Sequence, residues 1–348
     1  MQTEGAQTAM TRNHLHQTDC VIVFLCLMSP MTAFAEQCQL ARAGTLQIEV
    51  VDKHILVKSR INDYETYALY GGSIMSSIFP RAVEDAGLKV KDTKDVKAVL
   101  DGDSDPVRLA RVSDVKFGDF SVKNQTWNVS GDAAAGNRIA GMVLGEDILR
   151  SMEVEIDLGK GNLTLWQPKD CKNSPLAYWT DDFMSVKLLP HHRGLFETEV
   201  LLNGIAFRAV VDAGAEQTMV SRVAADSAGG TIVGKDDSAS SMRVAVDTSG
   251  ATIVRFDTFE MGDLTVKNAR ILVANLEEHV ERQIAAGLNG PVPRFDNPGL
   301  YIGADFLRAM RVFISKSQGY AYMTYNGGPI FQPENVLPPD TDRFGTPP

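Results

Sequence analysis

Basic residues are in short supply. The chain carries 34 Lys and Arg against 44 Asp and Glu, a formal net charge of -10. It therefore lacks the electrostatic footprint of a nucleic-acid binder, and no nucleic-acid partner is expected. Cysteine is scarce too, with four in 348 residues. No Cys or His cluster has metal-ligand spacing, and His191-His192 reads as a solvated pair in a loop-like stretch. No Gly-x-Ser-x-Gly elbow, phosphate loop or dinucleotide fingerprint occurs, so neither a metal nor a cofactor is expected. Beyond the N-terminus no apolar run reaches membrane-spanning length. Helix-type periodicity is sparse. What is present, 44% hydrophobic and 22% charged residues, suits a globular chain of about two domains.

The N-terminus differs from the rest. Cys20 to Met28 is a short apolar run, and Ala33-Phe34-Ala35 follows with the small-x-small pattern that signal peptidase accepts. Residues 1–35 are expected to be a signal peptide, giving a secreted or periplasmic protein with no stable membrane span after cleavage. A retained N-terminal anchor is the alternative. Removal of 1–35 leaves Cys38 and Cys171, and an even pair in an exported chain points to one disulfide. That bridge would tie the entry of the first half to its exit; two buried thiols are the other reading.

An internal duplication organises the remainder. Val107 to Asn124 parallels Thr252 to Asn268, each with alternating apolar residues around a Gly-Asp turn, as hairpins require. Leu144-Gly145-Glu146-Asp147-Ile148-Leu149 parallels Ile302-Gly303-Ala304-Asp305-Phe306-Leu307, and each copy is followed by a strand pair. Gly72 and Gly214 are 142 residues apart and Gly118 and Gly262 are 144, but Gly145 and Gly303 are 158, which places an insertion around 287–299. The boundaries are a first lobe at 36–172, a linker at 173–189, a second lobe at 190–328 and a Pro-containing tail at 329–348 that is expected to pack little. Many short strands with few helices make both lobes all-β.

The ordered set of motifs resembles the retropepsin-like aspartic proteases, in particular the bacterial exported members with two such domains in tandem. In the second lobe the matching residues are Phe207 to Ala215, with Val210-Val211-Asp212-Ala213-Gly214-Ala215 at their centre, then Thr218 to Ser221 and Ile302 to Leu307. In the first they are Ser76 to Leu88 and Leu144 to Leu149. The resemblance implies two acid-protease-like barrel lobes in a bilobed, pepsin-like arrangement. It also implies a polypeptide substrate or peptide ligand, with Asp212 as the catalytic carboxylate on a loop of Ala213, Gly214 and Ala215 supported by Gly303. In this family two Asp carboxylates meet about 3 Å apart and share one proton, because both cannot ionise together.

The first lobe departs from that pattern. Ala68-Leu69-Tyr70-Gly71-Gly72-Ser73 holds no carboxylate: Tyr70 stands at the place of the Asp and Gly71 at the place of the Thr. Ala213 also replaces the loop hydroxyl of the second lobe. A phenol with a pKa of about 10 is no base at neutral pH, although it can donate a hydrogen bond. Two readings follow, an exported aspartic endopeptidase and a catalytically inactive pseudoprotease that holds extended peptides in the interlobe cleft by strand addition. Pairing of two second lobes across a two-fold axis would supply a second Asp, but the attached first lobe already occupies that surface. Asp247-Thr248-Ser249-Gly250 mimics the motif but reads as a flap turn. Asp147 and Asp305 read as helix N-terminal carboxylates.

Overall fold

The computed structural model describes residues 38–51, 54–70, 75–100, 103–129, 139–189, 196–213, 215–235, 251–274, 276 and 298–331. The N-terminal apolar run, the segment 71–74 with Gly71, Gly72 and Ser73, His191-His192, Gly214, the turn at Asp247, positions 287–297 of the insertion and everything after Phe331 lie outside these residues.

The first lobe runs β1 (Gln39–Val51), β2 (His54–Ile61), β3 (Tyr64–Tyr70), β4 (Ser77–Ile78), α1 (Pro80–Asp85), β5 (Val90–Leu100), β6 (Asp103–Phe117), β7 (Phe120–Val129), β8 (Met142–Leu144), α2 (Glu146–Leu149), β9 (Glu153–Asp157) and β10 (Asn162–Lys169). The expected linker contributes β11 (Met184–Lys187). The second lobe repeats the order: β12 (Phe196–Leu202), β13 (Ile205–Val211), β14 (Met219–Ser221), α3 (Arg222–Ser227), β15 (Thr231–Lys235), β16 (Thr252–Met261), β17 (Leu264–Ala274), β18 (Leu300–Ile302), α4 (Ala304–Leu307), β19 (Met310–Ser315) and β20 (Tyr320–Tyr325).

Each lobe closes on itself. In the first, strands β2-β3-β8-β4-β7-β6 follow one another and β2 pairs again with β6. In the second, β12-β13-β18-β14-β17-β16 do the same and β12 pairs with β16. The result is two six-strand barrels, an all-β fold as expected. Pairing directions match as well: β3–β8 and β13–β18 are parallel, and β4–β8 and β14–β18 antiparallel. The barrels are filled by inward-facing residues of alternating strands, among them Val112, Val115 and Phe117 in one and Val254, Phe256 and Phe259 in the other. Each such side chain contributes roughly 1.5–3 kcal/mol when fully buried.

Turn chemistry fixes the registers. Asn203-Gly204, both at positive φ, joins β12 to β13 in a two-residue hairpin, the strongest short-range signal of that turn. Gly118 turns between β6 and β7 at φ +60, and a Cβ there would lie 2.4 Å from the Thr45 carbonyl oxygen. Only glycine meets both demands.

A second sheet, ordered β11-β20-β19-β9-β10-β1, joins the lobes. Its seam pairs Arg311 with Asp157, Val312 with Ile156, Phe313 with Glu155 and Ile314 with Val154. Three acids on β9 are buried there and each finds a donor. Glu155 accepts from Arg311 Nε at 2.7 Å, Trp166 Nε1 at 2.9 Å and the Tyr178 hydroxyl at 3.0 Å. Glu153 accepts from the backbone N–H groups of Lys316 and Ser317. Asp157 accepts from Lys160 N at 3.1 Å. The Arg311 guanidinium also lies 4.1 Å from the centre of the Trp179 ring. Behind the sheet, a disulfide joins Cys38 to Cys171 across 133 residues.

The tail expectation fails at its start. Phe331 is 2% exposed and packs on Phe259, with ring centres 4.7 Å apart, and on Phe306 at 5.7 Å. An aromatic three residues past Gly328 outweighs the proline-rich composition, because a large ring filling a barrel end buries much area.

Candidate active site

The parallel pair β13–β18 delivers Asp212 to its place. Val211 lies opposite Ile302, and the next residue, Asp212, leaves the strand with its N–H still bonded to the Ile302 carbonyl at 2.9 Å. The chain then turns sharply: Ala215 N–H donates to the Asp212 carbonyl at 3.0 Å, and Ala304 N–H donates to the Ala215 carbonyl at 2.8 Å. Asp212 is 4% exposed, and Ala213 and Ala215 are buried beside it.

A polar brace holds this loop from below. Thr218 donates to one oxygen of Asp305 from its backbone N–H at 2.8 Å and from its hydroxyl at 2.7 Å. Phe306 N–H adds a third bond to that oxygen at 2.8 Å, and Gly303 N–H donates back to the Thr218 hydroxyl at 3.0 Å. Asp305 thus receives backbone N–H groups at the start of α4, and also ties the helix to the Asp loop. Burial raises its pKa, against the opposing pull of the Thr218 and Phe306 hydrogen bonds and of the Arg308 charge. Gly303 is bare for a steric reason: a Cβ would lie 2.5 Å from the Gln217 carbonyl carbon.

The first lobe keeps the brace without the acid. Ser76 donates to Asp147 through its N–H at 2.9 Å and its hydroxyl at 2.7 Å, Ile148 N–H adds 3.1 Å, and Gly145 N–H donates to the Ser76 hydroxyl at 2.9 Å. Strand register corrects one expectation. Tyr70 lies opposite Leu144, just as Val211 lies opposite Ile302. Tyr70 is therefore the ladder counterpart of Val211, and the place that follows, equivalent to Asp212, falls on Gly71. From this rung to the braced hydroxyl the first-lobe loop, Tyr70 to Ser76, is one residue shorter than Val211 to Thr218. Matching Gly72 to Gly214 hid that deletion.

Tyr70 nevertheless feels the charge of Asp212. It is 4% exposed, and its pKa is held well above the usual 10.0, first by burial and then by the negative charges of Glu146 and Asp212. Both effects favour the neutral phenol, which can donate a hydrogen bond.

Two further groups escaped the sequence reading. Glu146 takes the place that Ala304 has in the second lobe. Burial raises its pKa, opposed by an ion pair with Lys316 at 3.0 Å and assisted by neighbouring Asp147. His54, 2% exposed at the start of β2, places Nε2 4.0 Å from Oε1 of Glu216 in the Asp212 loop. Glu146 was hidden because only its alignment with an alanine marks it as unusual. His54 was hidden because strand β2 had not been placed against the other lobe. Among the described residues no group of three His, Cys, Asp or Glu could hold a metal ion. No helix among them is long and apolar enough to cross a membrane.

Residues 198–306 match a family model described as aspartyl protease. The match to that family falls within the second lobe. The matched stretch begins in β12 and ends within α4, so it contains both the Asp212 loop and its Thr218–Asp305 brace. Among solved structures, the chain is similar to a retropepsin-like aspartic protease from Rickettsia conorii. That likeness is 16% identical and covers 38% of this chain and 95% of the other, with a TM-score of 0.28. No curated protein matches the chain.

Proposed function

We propose that the chain is an exported aspartic-type endopeptidase with one catalytic carboxylate, Asp212, and with Tyr70 as the donor contributed by the first lobe. The observation that carries this reading is the buried Asp212, held on a braced loop, whose negative charge acts on the buried Tyr70 phenol of the other lobe. An ionised Asp212 takes a proton from water, and the hydroxide formed attacks the peptide carbonyl. The Tyr70 O–H, unable to ionise, hydrogen-bonds the oxygen on which negative charge develops. The proton on Asp212 then passes to the departing amine.

In this reading the site belongs to one molecule, since the first lobe is already joined to the second through the β9–β19 pair. Activity per molecule is therefore independent of protein concentration.

The inactive, peptide-holding reading has its own support in Ala213 and in the missing first-lobe carboxylate. One experiment separates the two. The purified chain is offered an unstructured polypeptide between mildly acidic and neutral pH, alongside Asp212→Asn. Cleavage that the variant loses supports the peptidase. Saturable binding of uncleaved peptide supports the pseudoprotease.

A further inference from the structure

The first lobe has a cavity of about 800 Å³ on its outer wall, lined by β2, β3, β6, α1 and the turn before β8. It is distinct from the site above. Tyr67, the lining residue farthest along β3, and Tyr70 are three residues apart, roughly 10 Å at about 3.3 Å per residue. Four cations line it: Lys58, Arg60, Arg81 and Lys116. Two are already engaged, Lys58 with Glu49 at 2.8 Å and Arg81 with Asp85 at 3.7 Å. The other two are not. Arg60 and Lys116 are half-buried, face each other directly across the β2–β6 pair, and make no ion pair among the described residues. Glu65, opposite Arg60 on β3, is exposed and also lies beyond ion-pair distance.

Like charges placed directly across a sheet repel and destabilise it, and a bound counter-charge reverses the sign of that contribution. A guanidinium beside an ammonium is the pairing that recognises oxyanions, the first by its planar fork and the second as a point charge. The Thr66 hydroxyl adds a polar group to the lining, packed so closely on Gly141 that a Cβ there would lie 2.4 Å from Thr66 Oγ1. The volume is that of a small-molecule site rather than of a polymer groove. Nucleic acid is disfavoured by the chain's net charge of -10.

We propose that this cavity binds a small, multiply charged oxyanion, a phosphate ester or a polycarboxylate, between Arg60 and Lys116. The proposal does not depend on the catalytic reading.

The full chain is titrated with pyrophosphate and, separately, with citrate at constant ionic strength, and binding is followed by calorimetry and by the amide shifts of Arg60, Thr66, Lys116 and Gly141. Saturable binding of one of them is expected, and whichever binds tighter identifies the ligand as phosphate-bearing or carboxylate-bearing. Arg60→Gln with Lys116→Gln is expected to weaken it by about tenfold or more, since both charge-assisted bonds are lost. Glu65→Gln removes the only carboxylate of the lining among the described residues and is expected to tighten binding, which keeps the test decisive should the double variant fail to fold. The proposal is overturned if neither anion binds saturably below about 10 mM, if the double variant binds as the parent does, or if Glu65→Gln weakens binding.

Discussion

Thr218 offers both its backbone N–H and its hydroxyl to the same oxygen of Asp305, at 2.8 and 2.7 Å. Ser76 does the same to Asp147 in the other lobe. The brace recurs in the lobe that has no acid on its loop, which identifies it as a device of the fold as well as of the site. Thr218→Val keeps the shape and removes the hydroxyl bonds to a buried carboxylate. It is expected to cost about 2–4 kcal/mol, because the Gly303 N–H also loses its acceptor. Chemical denaturation checks this, and a loss below about 0.5 kcal/mol would mean that the brace is dispensable.

Tyr70→Phe separates donor from packing. The ring stays, so stability is expected to change by less than about 1 kcal/mol. Turnover is expected to fall by about 10- to 1000-fold, the range for removing one donor to a developing oxyanion, with little change in KM. An unaltered kcat would remove Tyr70 from the mechanism.

Glu146 gives the fold a pH signature. Its pKa is raised, so the folded chain binds a proton more readily than the unfolded one. That contribution is complete below the ordinary glutamate value of 4.5 and is lost as pH rises through the raised value. Stability over this window is expected to rise on acidification, and Glu146→Gln to flatten the change. Melting temperatures across mildly acidic pH test it. A parent and variant with parallel profiles would show that Glu146 does not titrate as described.

The Cys38–Cys171 bridge closes most of the first lobe into one loop, with a sequence separation of 133. Replacing both cysteines by alanine is expected to cost about 2–5 kcal/mol. A reductant should lower the melting point of the parent and leave the variant untouched.

Phe331 is expected to matter despite its place in a proline-rich tail. Phe331→Ala opens a cavity between Phe259 and Phe306 and should cost about 3–5 kcal/mol. Unchanged stability would show that residues past β20 are indeed dispensable.

The barrels were legible because a duplication shows itself twice: alternating strands, Gly-Asp turns and two Gly-x-Asp segments recur in the same order. The Asp212 loop was legible through the same repetition. What escaped was whatever depends on one lobe meeting the other. A one-residue deletion between Tyr70 and Ser76 is invisible when glycines are matched by eye, and only the parallel pairing with β8 fixes the frame. His54 and Glu216 are distant in sequence and polar, with no periodicity to mark them as neighbours. Glu146 follows a glycine at the start of a short helix, where an acid is ordinary; its burial against Lys316 arises only when β9 and β19 join.

The most direct test of the central claim is cleavage of an unstructured polypeptide by the purified chain and by Asp212→Asn, each over a range of protein concentrations. The account predicts cleavage by the parent at a rate per molecule that does not vary with concentration, and none by the variant. Equal cleavage by both, or a rate per molecule that climbs with concentration, would contradict it.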